Sequence, residues 1–363
     1  MATLRILAES DVPAAVALFA RVYPEHHWSS TTEWEAYFRA TLFDNPWCDP
    51  EVPSWVAEER GRIIGLYAVL PRRMLWRGRP IRVAVGCQLM VDPANRHSLA
   101  ALQMAQACIT GAQDLTLADA ANDQARRMWA GVGGTTALLY SMQWTRPLRP
   151  AGYALSLAQA RAVLPRPVAQ AARPIAMLID TLAARSRPNR FFADDDDLAD
   201  EALDAATMPA ELPAMLDGSA LQPMYDAESL AWLLEQASRK QSYGTLRTRL
   251  VRARSGEIIG WYLCYVRSGA VSEVIQIVAR RDAYDRVLRR LLADAWRLGA
   301  TAVRGRVDPR FVKELSDRHC WSRWDSAWTL AHSRDPAIMA AIHRGDAFLS
   351  RLEGEWWLRF MGA

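Results

Sequence analysis

Apolar positions recur along this chain with two spacings, and the alternation between them marks out the elements. Thr3 to Ala8 alternates as a strand does. Ser10 or Asp11 then caps a helix with Pro13 in its first turn, and Ala14, Val16, Ala17, Phe19, Ala20 and Val22 give it a buried side until Pro24 ends it. A polar, aromatic loop, Glu25-His26-His27-Trp28, leads to a second helix from about Thr32 to Leu42. Ser54 to Glu59 and Ile63 to Val69 flank Arg60-Gly61-Arg62, the pattern of a hairpin. Ile81 to Met90 is a continuous apolar strand, Ser98 to Ile109 a helical run, and Asp114 to Ala118 a short strand. Leu138 to Trp144 reads as one more strand.

The pattern changes at Pro147-Leu148-Arg149-Pro150. Leu155 to Leu164 and Val168 to Arg185 read as helices, interrupted by Pro165, Pro167 and Pro174 and ended by Ser186 to Arg190. The earlier plan then returns. Asp226 to Ser238 is a helix, and Thr245 to Ala253 and Ile258 to Arg267 flank the turn Arg254-Ser255-Gly256-Glu257. Val271 to Ala279 is a strand, Ala283 to Leu298 a helix, and Ala302 to Val307 a strand. Phe311 to Arg318 and Ala327 to His332 complete the set. The repeat is one of architecture more than of residues.

The 363 residues are 51% hydrophobic and 23% charged, enough to bury a sizeable core. A net charge of +4 neither demands nor excludes nucleic acid. The five cysteines, Cys48, Cys87, Cys108, Cys264 and Cys320, form no C-x-x-C pair and read as reduced thiols of a cytoplasmic protein. No run approaches the roughly 20 apolar residues that span a bilayer. Asp194 to Asp197 has no metal-ligand spacing around it and reads as a solvated acidic turn, and no metal is expected.

The sharpest signal lies where the strand ending at Val91 passes through Asp92-Pro93-Ala94-Asn95-Arg96-His97-Ser98-Leu99 into a helix. A strand, a short loop and a helix N-terminus leave backbone N–H groups pointing one way, with the helix dipole behind them, and so favour an anion such as a phosphate. Val91, Pro93, Arg96 and Ala101 fall on the acyl-CoA loop pattern V-x-P-x-x-R-G-x-G-x-G/A. His97 and Leu99 stand where that pattern has glycines. Asn122 to Gly134 resembles the N-x-x-A-x-x-x-Y-x-x-x-G-F element, with Trp129 in the tyrosine position. On these two motifs, in the right order, the chain resembles the GNAT acyltransferases. With the repeated plan it is similar to tandem GNAT proteins such as mycothiol synthase and the Fem-type peptidyltransferases.

That resemblance implies an α/β (α+β) fold of two GNAT-like domains, each a mixed twisted sheet flanked by helices: residues 1–148 with the acyl-CoA site, a helical connector over 149–192, and a degenerate second domain over 193–363 with an acceptor or packing role. It implies an N-acyltransferase, EC 2.3.1.-, in which a small amine attacks acetyl-CoA or another acyl-CoA directly. The alternatives are a Fem-like transferase using aminoacyl-tRNA, suggested by Arg286, Arg289, Arg290, Arg297, Arg304 and Arg306, and a non-catalytic binding protein. Leu89, Met90 and Val91 are expected to polarise the thioester carbonyl. Arg96, His97, Ser98, Leu99, Ala100, Ala101, Asn122 and Trp129 are expected to hold the coenzyme. Gln88 positions a water, and Asp119 or His27 acts as base, with the plain alternative that Asp119 is a helix cap and the histidines surface residues. His26, Trp28 and Glu355 are candidates for binding the acceptor, Glu355 from a terminal strand over Leu352 to Phe360. Cys87 reads as a buried core thiol. A monomer or homodimer is expected.

Overall fold

The structure, a computed structural model, describes residues 2–24, 30–185, 198–216, 218–324 and 327–355. They form two mixed sheets flanked by helices, and the chain visits each sheet more than once. β1 (Thr3–Ile6), β2 (Trp55–Glu59), β3 (Arg62–Trp76), β4 (Arg79–Val91), β5 (Leu115–Ala121) and β6 (Thr135–Thr136) belong to the first sheet. β7 (Met142–Pro147) and β8 (Ala199–Ala202) lie in the second. β9 (Leu221–Pro223) returns to pair with β3. β10 (Thr245–Arg252), β11 (Ile258–Val266), β12 (Val271–Ala279), β13 (Ala302–Arg306) and β14 (Trp321–Trp324) build the second sheet, and β15 (Trp328–His332) closes the first between β5 and β6. The first sheet runs β1-β2-β3-β4-β5-β15-β6 and the second β14-β7-β13-β12-β11-β10-β8 among the described residues.

Two compact units follow from this path. One comprises Met1–Ser141, Ser219–Gln236 and Asp325–Gly362, the other Met142–Gly218 and Ala237–Trp324. The last strand of each half therefore pairs with the sheet of the other half: β7 lies between β13 and β14, and β15 lies between β5 and β6. The run Leu138 to Trp144, expected as one strand, is a short helix, Leu138–Ser141, followed by β7. A short apolar run has no periodicity that separates the two. Tyr140 is fixed as part of that helix, its hydroxyl donating to the Ala347 carbonyl at 2.6 Å.

In the first unit the helices α1 (Val12–Val22) and α2 (Thr31–Leu42) cover one face of the sheet. The buried stripe of α1 is Val12, Ala15, Val16, Leu18 and Phe19. It is turned away from Ala14, Ala17 and Ala20, expected to be inside, because larger side chains gain more from leaving water. Phe19 stacks on Trp34 of α2, ring centroids 5.3 Å apart. On the other face, α3 (Ala100–Ile109) and α4 (Asp123–Gly131) bury Met104, Ala105, Cys108 and Trp129 against Ile64, Tyr67, Val69 and Ala84.

The second unit repeats the scheme with the helix Tyr284–Arg297 on β11 and β12. Its Val287, Leu288, Leu291, Leu292 and Ala295 pack with Tyr262, Val274 and Trp144. The connecting helices Pro150–Ala160 and Arg166–Arg185 belong to this unit, the second running through Pro174 without a break. Buried Asp180 accepts the Ala151 and Gly152 N–H groups, both at 2.9 Å, and so caps the first of them.

Candidate active site in the first unit

β4 and β5 run parallel but pair only at Val83–Leu115, Ala84–Thr116 and Val85–Leu117. Beyond Val85 the strands part, while β4 stays bonded to β3 as far as Val91 opposite Gly65. The edge of β4 that faces β5 therefore carries main-chain groups with no ladder partner there, and a cleft opens along it. The divergence has a local cause. Ala68 pairs with Cys87 and Tyr67 with Leu89, so Gln88 is an extra residue, a β-bulge, with φ +48°. A bulge bends its strand and increases its twist.

The cleft encloses about 210 Å³. Gly86, Gln88 and Leu89 line it from β4, Tyr67 from β3, and Ala118, Ala120, Asn122 and Trp129 from β5 and α4. Tyr23 and Glu355 complete it. Gln88 donates through Nε2 to the Tyr23 hydroxyl at 2.9 Å. Trp129, 2% exposed, lies in the same core cluster as Tyr67 and lines the cleft with it. Burial, and to a smaller extent the nearby Cys108 and Glu355, hold the Tyr67 phenol well above its ordinary pKa, so it is a neutral acid at physiological pH. A Cβ at Gly86 would sit 2.2 Å from the Tyr67 hydroxyl oxygen, so glycine there is what admits the ring.

Two carboxylates meet at the cleft wall. The Glu355 N–H donates to Asp119 Oδ1 at 2.6 Å, and Glu355 Oε1 accepts the Ala120 N–H at 3.3 Å. Gly354 lies against Asp119, where a Cβ would come within 2.0 Å of Oδ2. Asp119, 4% exposed, is thus the seat of the 354–355 segment and is not among the residues lining the cleft, whereas Glu355 is. Asp119 is not the cap of α4 either. That role falls to Asn122, whose Oδ1 accepts the Ala125 N–H at 2.8 Å. The segment carrying Glu355 is a series of turns and bends at 351–355, not a strand, and Glu355 is buried rather than on a solvent face. His26, His27 and Trp28 lie outside the described residues.

At the far end of β4, Asp92 anchors the loop. Its carboxylate, 4% exposed, meets Arg21 at 2.9 Å and Arg62 at 2.8 Å and accepts the Ala94 N–H at 3.1 Å. Burial disfavours its charge, but the Ala94 amide and the two guanidiniums outweigh that and lower its pKa. With Asp92 committed inward, Arg96, His97 and Ser98 stand exposed at the start of α3. The first-turn amides of Ala100, Ala101 and Leu102 have no intrahelical acceptor, and Ser98 Oγ takes only that of Ala100, at 3.4 Å. Leu99 is 66% exposed and lines, with Leu102 and Gln103, a shallow groove that reaches Gly131 and Val132 at the end of α4. Arg96 and these free amides fit an anionic group such as a coenzyme A diphosphate.

No family profile matches the chain, and no characterised relative matches it in sequence. Its fold does match solved structures. A probable N-acyltransferase from Enterococcus faecalis V583 superposes with a TM-score of 0.58 over 92% of this chain and 73% of that one, at 8% identity. A GCN5-related N-acetyltransferase from Anabaena variabilis ATCC 29413 gives 0.58 over 91% and 72%, at 12% identity. One from Kribbella flavida gives 0.58 over 94% and 73%, at 12% identity. The chain has a tandem GNAT fold. Parallel strands that splay at a bulge, with a loop and helix following the β4 strand, occupy the first unit of that fold.

The second unit of the GNAT fold has the same strand divergence. β12 and β13 pair only at Val271–Ala302, Ser272–Val303 and Glu273–Arg304. There, however, the Trp144 indole packs against Gly305, where a Cβ would lie 2.9 Å from it, and the Trp261 N–H takes up Gln276 at 2.9 Å. Three of the six arginines singled out in this half are paired: Arg289 with Asp285, Arg290 with Asp200 and Arg304 with Glu273. Among the described residues no group of three His, Cys, Asp or Glu is placed to hold a metal, and no helix is long and apolar enough to cross a membrane.

Tyr23, Tyr67 and Gly86 are the cleft residues that motif reading did not single out. Tyr67 follows Gly65-Leu66 in a run readable only as strand, and its part in the cleft depends on the β3–β4 register. Tyr23 sits at the end of α1, where only the tertiary fold brings it to Gln88.

Proposed function

We propose that the chain is an acyl-CoA-dependent N-acyltransferase acting on a primary amine, with its active site in the cleft between β4 and β5. The observation that carries this is the bulge at Gln88, which frees the β4 edge beside a cavity lined by the Tyr23 and Tyr67 phenols and the Glu355 carboxylate. In this reading Arg96 and the first-turn amides of α3 hold the diphosphate. The thioester lies along β4, its carbonyl oxygen accepting from a main-chain N–H of Leu89 to Val91 on the edge that faces β5. The coenzyme supplies an activated acyl group when bound.

The amine attacks the carbonyl carbon from the Glu355 side. The C–N bond forms as the C–S bond breaks. Glu355 accepts a proton from the attacking nitrogen, and Tyr67 gives its phenolic proton to the departing sulfur and regains one from solvent. Trp129, in the position of the motif's tyrosine, has no acidic group, and Tyr67, packed in the same cluster from β3, supplies one. The pairing of Arg289, Arg290 and Arg304 with carboxylates favours coenzyme A over aminoacyl-tRNA as donor.

Isothermal titration with acetyl-CoA and longer acyl-CoAs tests the proposal, followed by thiol release across a panel of amines. Expected are a saturable isotherm that Arg96→Ala weakens and amine-dependent thiol release that Glu355→Gln lowers at least 10²-fold. A folded protein that gives no heat with any acyl-CoA refutes it.

A further inference from the structure

Arg72 on β3 is 3% exposed and lies against the Trp47 ring, its Cζ 4.8 Å from the centroid, and 6.0 Å from that of Trp232. Nη1 donates to the Pro71 carbonyl at 2.8 Å. Among the described residues Nε and Nη2 have no hydrogen-bond partner, although both are fully buried. These two nitrogens form one edge of the guanidinium. Elsewhere in the chain the same edge holds both oxygens of a carboxylate: Arg318 grips Asp285 at 2.5 and 2.6 Å, and Arg247 grips Asp294 at 3.2 and 3.4 Å.

Among the described residues, further unmatched polar atoms lie on Trp47 and on residues near Trp47 and Trp232 in the chain. The indole N–H of Trp47 has no acceptor. Gln236, one helical turn beyond Trp232, has no donor at Oε1, and Thr41, whose carbonyl accepts from Asn45 two residues before Trp47, has none at its hydroxyl. Each of these side chains is at least nine-tenths buried. Buried polar groups are rarely left unpaired, and a charged one least of all. The nearest carboxylate, Glu353, contributes its field but has both oxygens engaged, Oε1 by the Tyr225 hydroxyl and Oε2 by the N–H and Oγ of Ser350, at 2.8 and 2.6 Å.

Arg72 is linked to the cleft by its place on the strand. It is four residues along β3 from Ala68, on the same face of the strand and about 13 Å away between Cα atoms; Ala68 pairs with Cys87, the neighbour of Gly86 and Gln88, whose field reaches the guanidinium.

We propose that the open edge of Arg72, with the Trp47 N–H, binds a carboxylate of the acceptor, so that the substrate is an amine carried several bonds away from a carboxylate. This rests on the N-acyltransferase reading for its chemistry but not for its binding step. The probes are matched pairs differing by that group: L-lysine against 1,5-diaminopentane and 6-aminohexanoate against pentylamine, with hexanoate as a carboxylate that has no amine. Titration calorimetry of the full chain is expected to show binding of hexanoate and 6-aminohexanoate and at least tenfold weaker binding of pentylamine. In Arg72→Gln, with unchanged far-UV circular dichroism, the carboxylate preference is lost. Trp47→Phe keeps the ring on Arg72 and removes one donor, so it weakens hexanoate severalfold and serves if Arg72→Gln does not fold.

With acetyl-CoA present, Arg72→Lys is expected to raise KM for L-lysine at least tenfold and to leave kcat within about twofold. Equal binding of carboxylate and carboxylate-free probes, or no binding of either because only internal water satisfies Arg72, overturns the proposal while leaving acyl transfer untouched. Hexanoate binding that depends on Arg72 in a protein that never turns over acyl-CoA retains the site and removes the enzyme reading.

Discussion

Gly86→Ala tests the cleft geometry most directly. The added methyl would stand 2.2 Å from the Tyr67 hydroxyl oxygen, 2.8 Å from Cζ and 3.1 Å from Cε2, where ordinary contact begins at 3.4 Å. The phenol must retreat by about 1 Å into the core it shares with Met104, Trp129 and Leu330. Overpacking of this kind costs about 1–3 kcal/mol. In a chain of this size each kcal/mol lowers Tm by about 2–4 °C. Chemical denaturation followed by tryptophan fluorescence measures the loss, and thiol release from acetyl-CoA measures the displacement of the acid. The second variant needed is Tyr67→Phe, which deletes the most crowded atom. If the clash is real, the double variant Gly86→Ala/Tyr67→Phe is less destabilised than the two single losses together, by about 0.5–2 kcal/mol of coupling. Simple additivity, or Gly86→Ala as stable as the parent, would refute the reasoning.

Other consequences are as direct. Gln88 occupies the left-handed region at φ +48°, so Gln88→Gly should be more stable than Gln88→Ala by about 1 kcal/mol in urea unfolding, even though both lose the bond to Tyr23. Asn122→Ala removes the α4 cap and should cost about 1 kcal/mol by the same measurement. The lowered pKa of Asp92 stabilises the folded state above the ordinary aspartate value. That contribution should fade as pH falls below about 4, and Asp92→Asn should remove this part of the acid limb of a Tm–pH profile. Glu353 has the opposite sign. Burial raises its carboxyl pKa despite the bonds from Ser350 and Tyr225, so the folded chain holds the proton more tightly. Its contribution to stability should fall as pH rises from about 4.3 through the raised value, a slope that Glu353→Gln should flatten.

Much of the fold was legible because its elements are local. The hairpin around Arg60-Gly61-Arg62, the apolar run of β4, and the strand, loop and helix from Val91 onward need only neighbouring residues to declare themselves, and the structure has all three. What local pattern does not carry is partnership. Nothing in Met142 to Pro147 says that it pairs with β13 and β14, or in Trp328 to His332 that it pairs with β5 and β6. The site divides in the same way. Gln88, Leu89, Asn122, Trp129 and Glu355 line the cleft, whereas Asp119 turned out to hold the segment bearing Glu355, because a carboxylate beside a run of main-chain N–H groups is spent on them. Tyr23 and Tyr67 owe their place to packing between distant elements, and Arg72 could be recognised only once its burial was known.

The exchange of terminal strands bears on how the molecule is made. β5 is finished by residue 121, yet the strand that covers its outer edge begins at Trp328, some two hundred residues later in synthesis. Until then the nascent first sheet presents a raw, largely apolar border, and long-range pairing of this kind is slow to form. A gene fragment stopped at the connector would lack that border strand altogether, and the ribosome has to deliver almost the whole polypeptide before either sheet can close.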